Sequence, residues 1–159
     1  MRAVVRACLA VPAVTQLLVG TWALLAPASF FADFPGGGRA WVASLPPYNE
    51  HLVRDVGALG LALGVVLVAA LVRPTRGTVT LAAGAFLVHT VPHLVFHQHH
   101  LEGMGAPDAV AQQGGFVAQV LLTVLAVVVT HRRAYPTERG PGQDRRSGRS
   151  QDDAVAARP

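Results

Sequence analysis

Apolar and polar positions fall into blocks along this chain. Four apolar runs, at about 4–26, 52–72, 78–96 and 110–130, are separated by short stretches rich in Pro, Gly and charge. Each run is close to the ~20 residues that carry an α-helix across a bilayer. The runs and their flanks predict helices over about 4–26, 50–72, 77–97 and 110–131. The expected fold is all-α: a four-helix transmembrane bundle, up-down-up-down, over residues 1–133. After Arg133 the chain turns to Arg, Asp, Ser, Gly and Pro, so 134–159 is expected to be a disordered tail.

The faces of these helices differ. Gln16, Gly20 and Ala23 share one face of the first. In the second, Asn49 is placed to cap and Glu50 sits at the positive end of the helix dipole. Gly57, Gly60 and Gly64 form one stripe there, while His51 and Asp55 lie on the opposite side, continued by Ala58 and Ala62. Gly60-x-x-x-Gly64 is a close-packing pattern for a neighbouring helix, in this chain or in a membrane partner or second copy. The fourth run carries Gln112, Gln119, Thr123 and Thr130 along a narrow stripe that lipid would penalise, so it should face the bundle.

Composition supports the membrane reading. Of 159 residues, 52% are hydrophobic and only 14% charged, against about a quarter in soluble domains. The net charge of +4 is carried by arginines in the tail and short loops, which fits membrane topology and not nucleic acid. Arg2, Arg6, Arg73, Arg76, Arg132 and Arg133 flank one side of the runs, and only Arg39 and Arg54 the other. The positive-inside rule then puts both termini in the cytoplasm. All thirteen basic residues are arginine and Ala, Gly and Pro abound, the composition of a GC-rich bacterial genome, so the expected place is a bacterial plasma membrane. The first run, with Arg2 and Arg6 ahead and Ala26-Pro-Ala28 behind, also has parts of a signal peptide. It is longer than the usual apolar core and Pro27 interrupts the cleavage motif, so a retained helix is the better reading. The single cysteine, Cys8, allows no internal disulfide and reads as a packed thiol. Aromatics at Trp22, Phe30, Phe31, Phe34, Trp41 and Tyr48 belong at the headgroup level.

The candidate chemistry lies in Leu87–His100, which holds five of the seven histidines. His89, His93 and His97 are four apart, so a helix stacks them on one side. Intramembrane ionisable groups usually face a bundle interior or a cavity. At 1.5 Å per residue, Asp55, His89 and Gln119 all lie about 8–14 Å below the outer ends of their helices. If their faces converge, an outer-half pocket contains His51, Asp55, His89, His93, Gln112 and Gln119, with His97 nearby. Arg54 would pair with Asp55, Glu50 or an anionic ligand. Two imidazoles at this spacing with a carboxylate suit a transition metal, so His89, His93, Asp55 and His51 are candidate ligands for Zn or Fe. A bis-histidine haem is a further version, for which no diagnostic motif is present. The plainer reading is structural: His89 and His93 hydrogen-bonding Asp55, Gln119 and the carbonyl that Pro92 frees. There is no Gly-x-Ser-x-Gly, Walker loop, Cys-x-x-Cys or His-Glu-x-x-His, so no catalytic residue and no organic-cofactor motif is assigned.

The runs Pro47-Tyr-Asn-Glu-His-Leu-Val-Arg-Asp-Val-Gly57 and Val91-Pro-His-Leu-Val-Phe-His97 resemble small uncharacterised four-span membrane proteins of actinobacteria. More distantly, the layout of residues 1–133 is similar to the DoxX-like group. That resemblance implies a four-helix membrane fold and, for some members, quinone-linked or redox-partner roles. It carries over no site residue. The functional expectations are a membrane protein with a metal or redox site in the outer pocket, a non-catalytic accessory subunit, or a small carrier. The absence of a visible inverted repeat places the carrier last.

Overall fold

The computed structural model describes residues 2–45 and 47–132; the expected tail, 134–159, lies outside them. The elements are α1 (Arg2–Leu25), α2 (Pro27–Asp33), α3 (Glu50–Val72), α4 (Arg76–Gln98) and α5 (Ala106–Arg132), with no strand among the described residues. α1, α3, α4 and α5 are each long and apolar enough to cross a membrane, the pattern of a multi-pass membrane protein. α2 lies outside the four apolar runs. Pro27 at its first position is pre-organised for a helix, while it restricts Ala26 and so ends α1 at Leu25. The Asn49 side chain accepts from the Leu52 N–H (3.1 Å) and starts α3. Thr75 and Thr78 form a reciprocal capping box at the start of α4.

The four long helices form a ring in the order α1, α3, α4, α5, and α1–α3 is its closest seam. Glycine is the reason. A Cβ on Gly57 would stand 2.5 Å from the Leu24 nitrogen and 2.9 Å from the Gly20 oxygen; one on Gly20 would meet the Gly57 oxygen at 2.9 Å. The Gly57/Gly60/Gly64 face is therefore filled by α1 of the same chain, through Gln16, Leu17 and Gly20. That covers the stripe offered above to a partner helix.

One end of the ring is solid. Val5, Cys8, Leu9 and Ala13 of α1 pack there with Leu67, Ala70, Val79, Ala82, Phe86 and Ala126. Arg6 closes that end by donating to the Leu71 and Val72 carbonyls of α3 (3.0 and 3.2 Å), and Thr80 meets His131 at 2.9 Å. Cations suit the negative end of a helix dipole. Thr123 and Thr130, both fully buried, bond back to the Gln119 and Ala126 carbonyls, so the polar stripe of α5 does face inward. Outside, Leu18, Val65, Leu81, Val88 and Leu121 are 63–77% exposed, a surface that matches lipid.

Candidate functional site

The other end of the ring is hollow. It encloses a cavity of about 670 Å³ between α1, α3, α4 and α5, roofed by the 34–45 segment. That is the size of a small-molecule site. The roof is a strap of aromatics. Phe34 packs against Trp22, Phe30 and Trp41 with ring centroids 4.9–6.0 Å apart, and the Trp41 backbone N–H donates to the Phe34 carbonyl (2.8 Å). Gly36, Gly37 and Gly38 all take positive φ (98°, 68° and 78°), so the strap's reversal requires glycine. Arg39 then reaches Asp108 at 2.7 Å and pins the strap to the start of α5.

α4 supplies the polar side of the wall. Its four-residue spacing stacks the imidazoles in a row: His89–His93 ring centroids are 5.6 Å apart and His93–His97 4.8 Å. His93 Nε2 and His97 Nε2 are 3.0 Å apart, within hydrogen-bond distance. Phe116 of α5 lies against both rings, at 4.9 and 5.5 Å. Gln112 and Gln119, one turn to either side of Phe116, complete that wall.

Several of these groups are buried without a hydrogen-bond partner among the described residues: Thr90 Oγ1, His97 Nδ1, Gln112 Oε1, Gln119 Oε1 and Trp41 Nε1. Thr90 is 2% exposed and Gln112 6%. His97 carries the point furthest. Its Nε2 faces His93, so one ring must donate and the other accept. Whichever it is, His97 Nδ1 is left as an unmatched acceptor or donor. Buried polar groups in native proteins are nearly always paired, and each exception costs about 1–3 kcal/mol. All five belong to residues that line one cavity.

His89, His93, His97, Gln112 and Gln119 line this cavity; His51, Asp55, Glu50 and Arg54 do not. His51 and Asp55 sit 3.3 Å apart on exposed side chains. Arg54 pairs with Glu50 (2.8 Å) and donates to the Leu24 carbonyl at the end of α1. The reason is rotation. Asp55 lies about 200° round the helix from Gly57, and the glycines hold the inward face. Among the described residues no group of three or more His, Cys, Asp or Glu is arranged to hold a metal ion. His99 and His100 are exposed beyond the site, with His100 stacked on Phe96 (4.0 Å). Sequence reasoning missed Thr90, Phe116 and the strap as lining. Phe116 was signalled by its place between Gln112 and Gln119; the strap's fold-back over the bundle had no periodic signal.

Compared with known proteins, the chain matches no family model, no curated protein and no solved structure.

Proposed function

We propose that this is a ligand-binding protein of the bacterial plasma membrane, which holds one neutral, hydrogen-bonding small molecule in the outer half of a four-helix bundle. One observation carries the reading: among the described residues no Asp, Glu, Lys or Arg lines the cavity, yet its lining residues Thr90, His97 and Gln112 carry buried polar atoms without a hydrogen-bond partner. An ion would find no countercharge there and would lose its hydration. A molecule with an apolar body and a polar head would find matching walls. The Thr, Gln and imidazole groups include both donors and acceptors, so its head carries both. A neutral redox cofactor, as the resemblance to DoxX-like proteins implies, is within this class. Mass spectrometry of an organic extract of the purified protein should show a neutral compound near one equivalent. Extracts holding only bulk lipid, in the proportions of the host membrane, would contradict the reading.

The same proposal places both termini in the cytoplasm with the strap outside. Arginine distribution supports it, as does Arg6 of the first turn of α1 meeting the last turn of α3. In a Cys8→Ala background, cysteines at Ala40 and Gly105 should label from outside the cell and one at Thr75 only after permeabilisation. External labelling at Thr75 overturns the orientation.

A second reading, a transition metal, keeps one observation in its favour. Two nitrogens 3.0 Å apart subtend about 90–97° at a metal 2.0–2.1 Å from each, which suits neighbouring positions of a tetragonal site. His93 and His97 would be its ligands, with a glutamine oxygen or water completing it. Copper or zinc titration at pH 7.5 should then show one equivalent bound, lost in His97→Ala. Binding kept in His97→Ala but lost in a His99→Ala, His100→Ala control removes this reading.

A further inference from the structure

The way into the cavity is marked by residues that both line it and stay exposed. Leu52 and Val56, one turn apart on α3, are 60% and 40% exposed, and Phe96 on α4 is 48% exposed. All are apolar and border the outer halves of α3 and α4; Ala111 and Gly115 of α5 line the cavity and are exposed as well. The helices are joined at the far end by the tight Arg73–Thr75 turn, and α3–α4 is the loosest seam of the ring. The water side is different. There the strap covers the cavity with Phe34, Trp41, Val42 and Leu45, and its ties run to α1 through Trp22 and to α5 through Arg39–Asp108.

We infer that the cavity exchanges its occupant sideways with the bilayer, through a portal between α3 and α4 rimmed by Leu52, Val56 and Phe96, so that its ligand is a membrane-dissolved neutral amphiphile and not a water-borne solute. This rests on the reading of the cavity as a ligand site. The rim residues themselves are apolar, with the His100 ring stacked on the outer side of the site against Phe96, and crossing apolar surface is costly for any ion. A neutral head lying at the headgroup depth needs only to slide between Val56 and Phe96 to reach His97 and Gln112. Its tail stays against apolar wall or lipid throughout, so little hydrophobic contact is lost on the way.

Trp41 lines the cavity and is one of two tryptophans in the chain, so Trp22→Phe leaves it as the sole reporter. The full chain in phosphatidylcholine vesicles is titrated with 9,10-dibromo-octadecanol, whose bromines quench indole on contact. Saturable quenching is expected, reversed by unbrominated octadecanol. Val56→Phe narrows the portal and should slow it about tenfold, the effect of ~1.4 kcal/mol of added crowding. Phe96→Ala widens the portal and should leave it as fast or faster, a pair of opposite signs that simple misfolding cannot produce. The water-soluble 3-bromo-1,2-propanediol should give only linear, collisional quenching. Saturable octadecanol quenching at equal rates in all three proteins defeats the portal and leaves the cavity standing as a ligand site. Saturable quenching by the diol, unaffected by Val56→Phe, makes the ligand water-borne and overturns the inference. No saturable quenching by either probe in folded protein defeats the ligand site and the portal together.

Discussion

Gly57→Leu is expected to take apart the α1–α3 seam and leave little folded protein. The first side-chain carbon already meets backbone, the Leu24 nitrogen and Gly20 oxygen, which cannot swing aside as a flexible side chain would. Gly57→Ala alone should cost about 1–3 kcal/mol, the usual range for overpacking. Leucine, three carbons longer, forces the helices apart and removes the contact of Gly20, Ala23 and Gly60 as well. Gly84→Ala is the control: nothing lies within 4 Å of its added carbon, so it should be neutral or gain about 0.5–1 kcal/mol of helix propensity. Thermal unfolding in mild detergent reads both. Gly57→Ala unfolding at the same temperature as Gly84→Ala would show that the seam is not closed as described.

The second large effect is an opposition between stability and binding. In Thr90→Val with Gln112→Leu, two buried groups without partners become apolar groups of similar shape. The ligand-free protein should become more stable, by at least about 1 kcal/mol, since an unpaired buried polar group costs about 1–3 kcal/mol. Binding of a neutral amphiphile should fall more than about tenfold, the equivalent of ~1.4 kcal/mol for lost head contacts. If ordered water satisfied these atoms as part of the fold, removing them would destabilise the protein instead. The sign of the change in unfolding temperature separates the two cases.

Most of the helical architecture was legible because long apolar runs with caps leave one backbone solution in lipid. Asn49 announced its helix directly. α2 was not legible: seven residues, four of them Phe, Phe, Ala and Ala, have no period long enough to read, and only Pro27 hinted at a start. The site was half legible. Rise per residue fixed the height of Asp55, His89 and Gln119, but height says nothing about rotation. Rotation was decided by the glycine stripe, which packs on α1 and turns Asp55 and His51 outward. The fourfold spacing on α4 and the Gln112–Gln119 stripe on α5 did place their residues on the cavity wall. His97 is only 9% exposed, with its ring stacked on Phe116 and His93.

The most direct test is an experimental density map of the protein in lipid nanodiscs, at a resolution that separates ordered water from a bound molecule. Continuous density too large for water should fill the cavity, with its head within hydrogen-bond distance of Thr90, His97 or Gln112 and its body reaching toward Val56 and Phe96. Discrete water peaks bridging those polar atoms, or a collapsed cavity with Gln112 and His97 paired to neighbouring side chains, would contradict the ligand site.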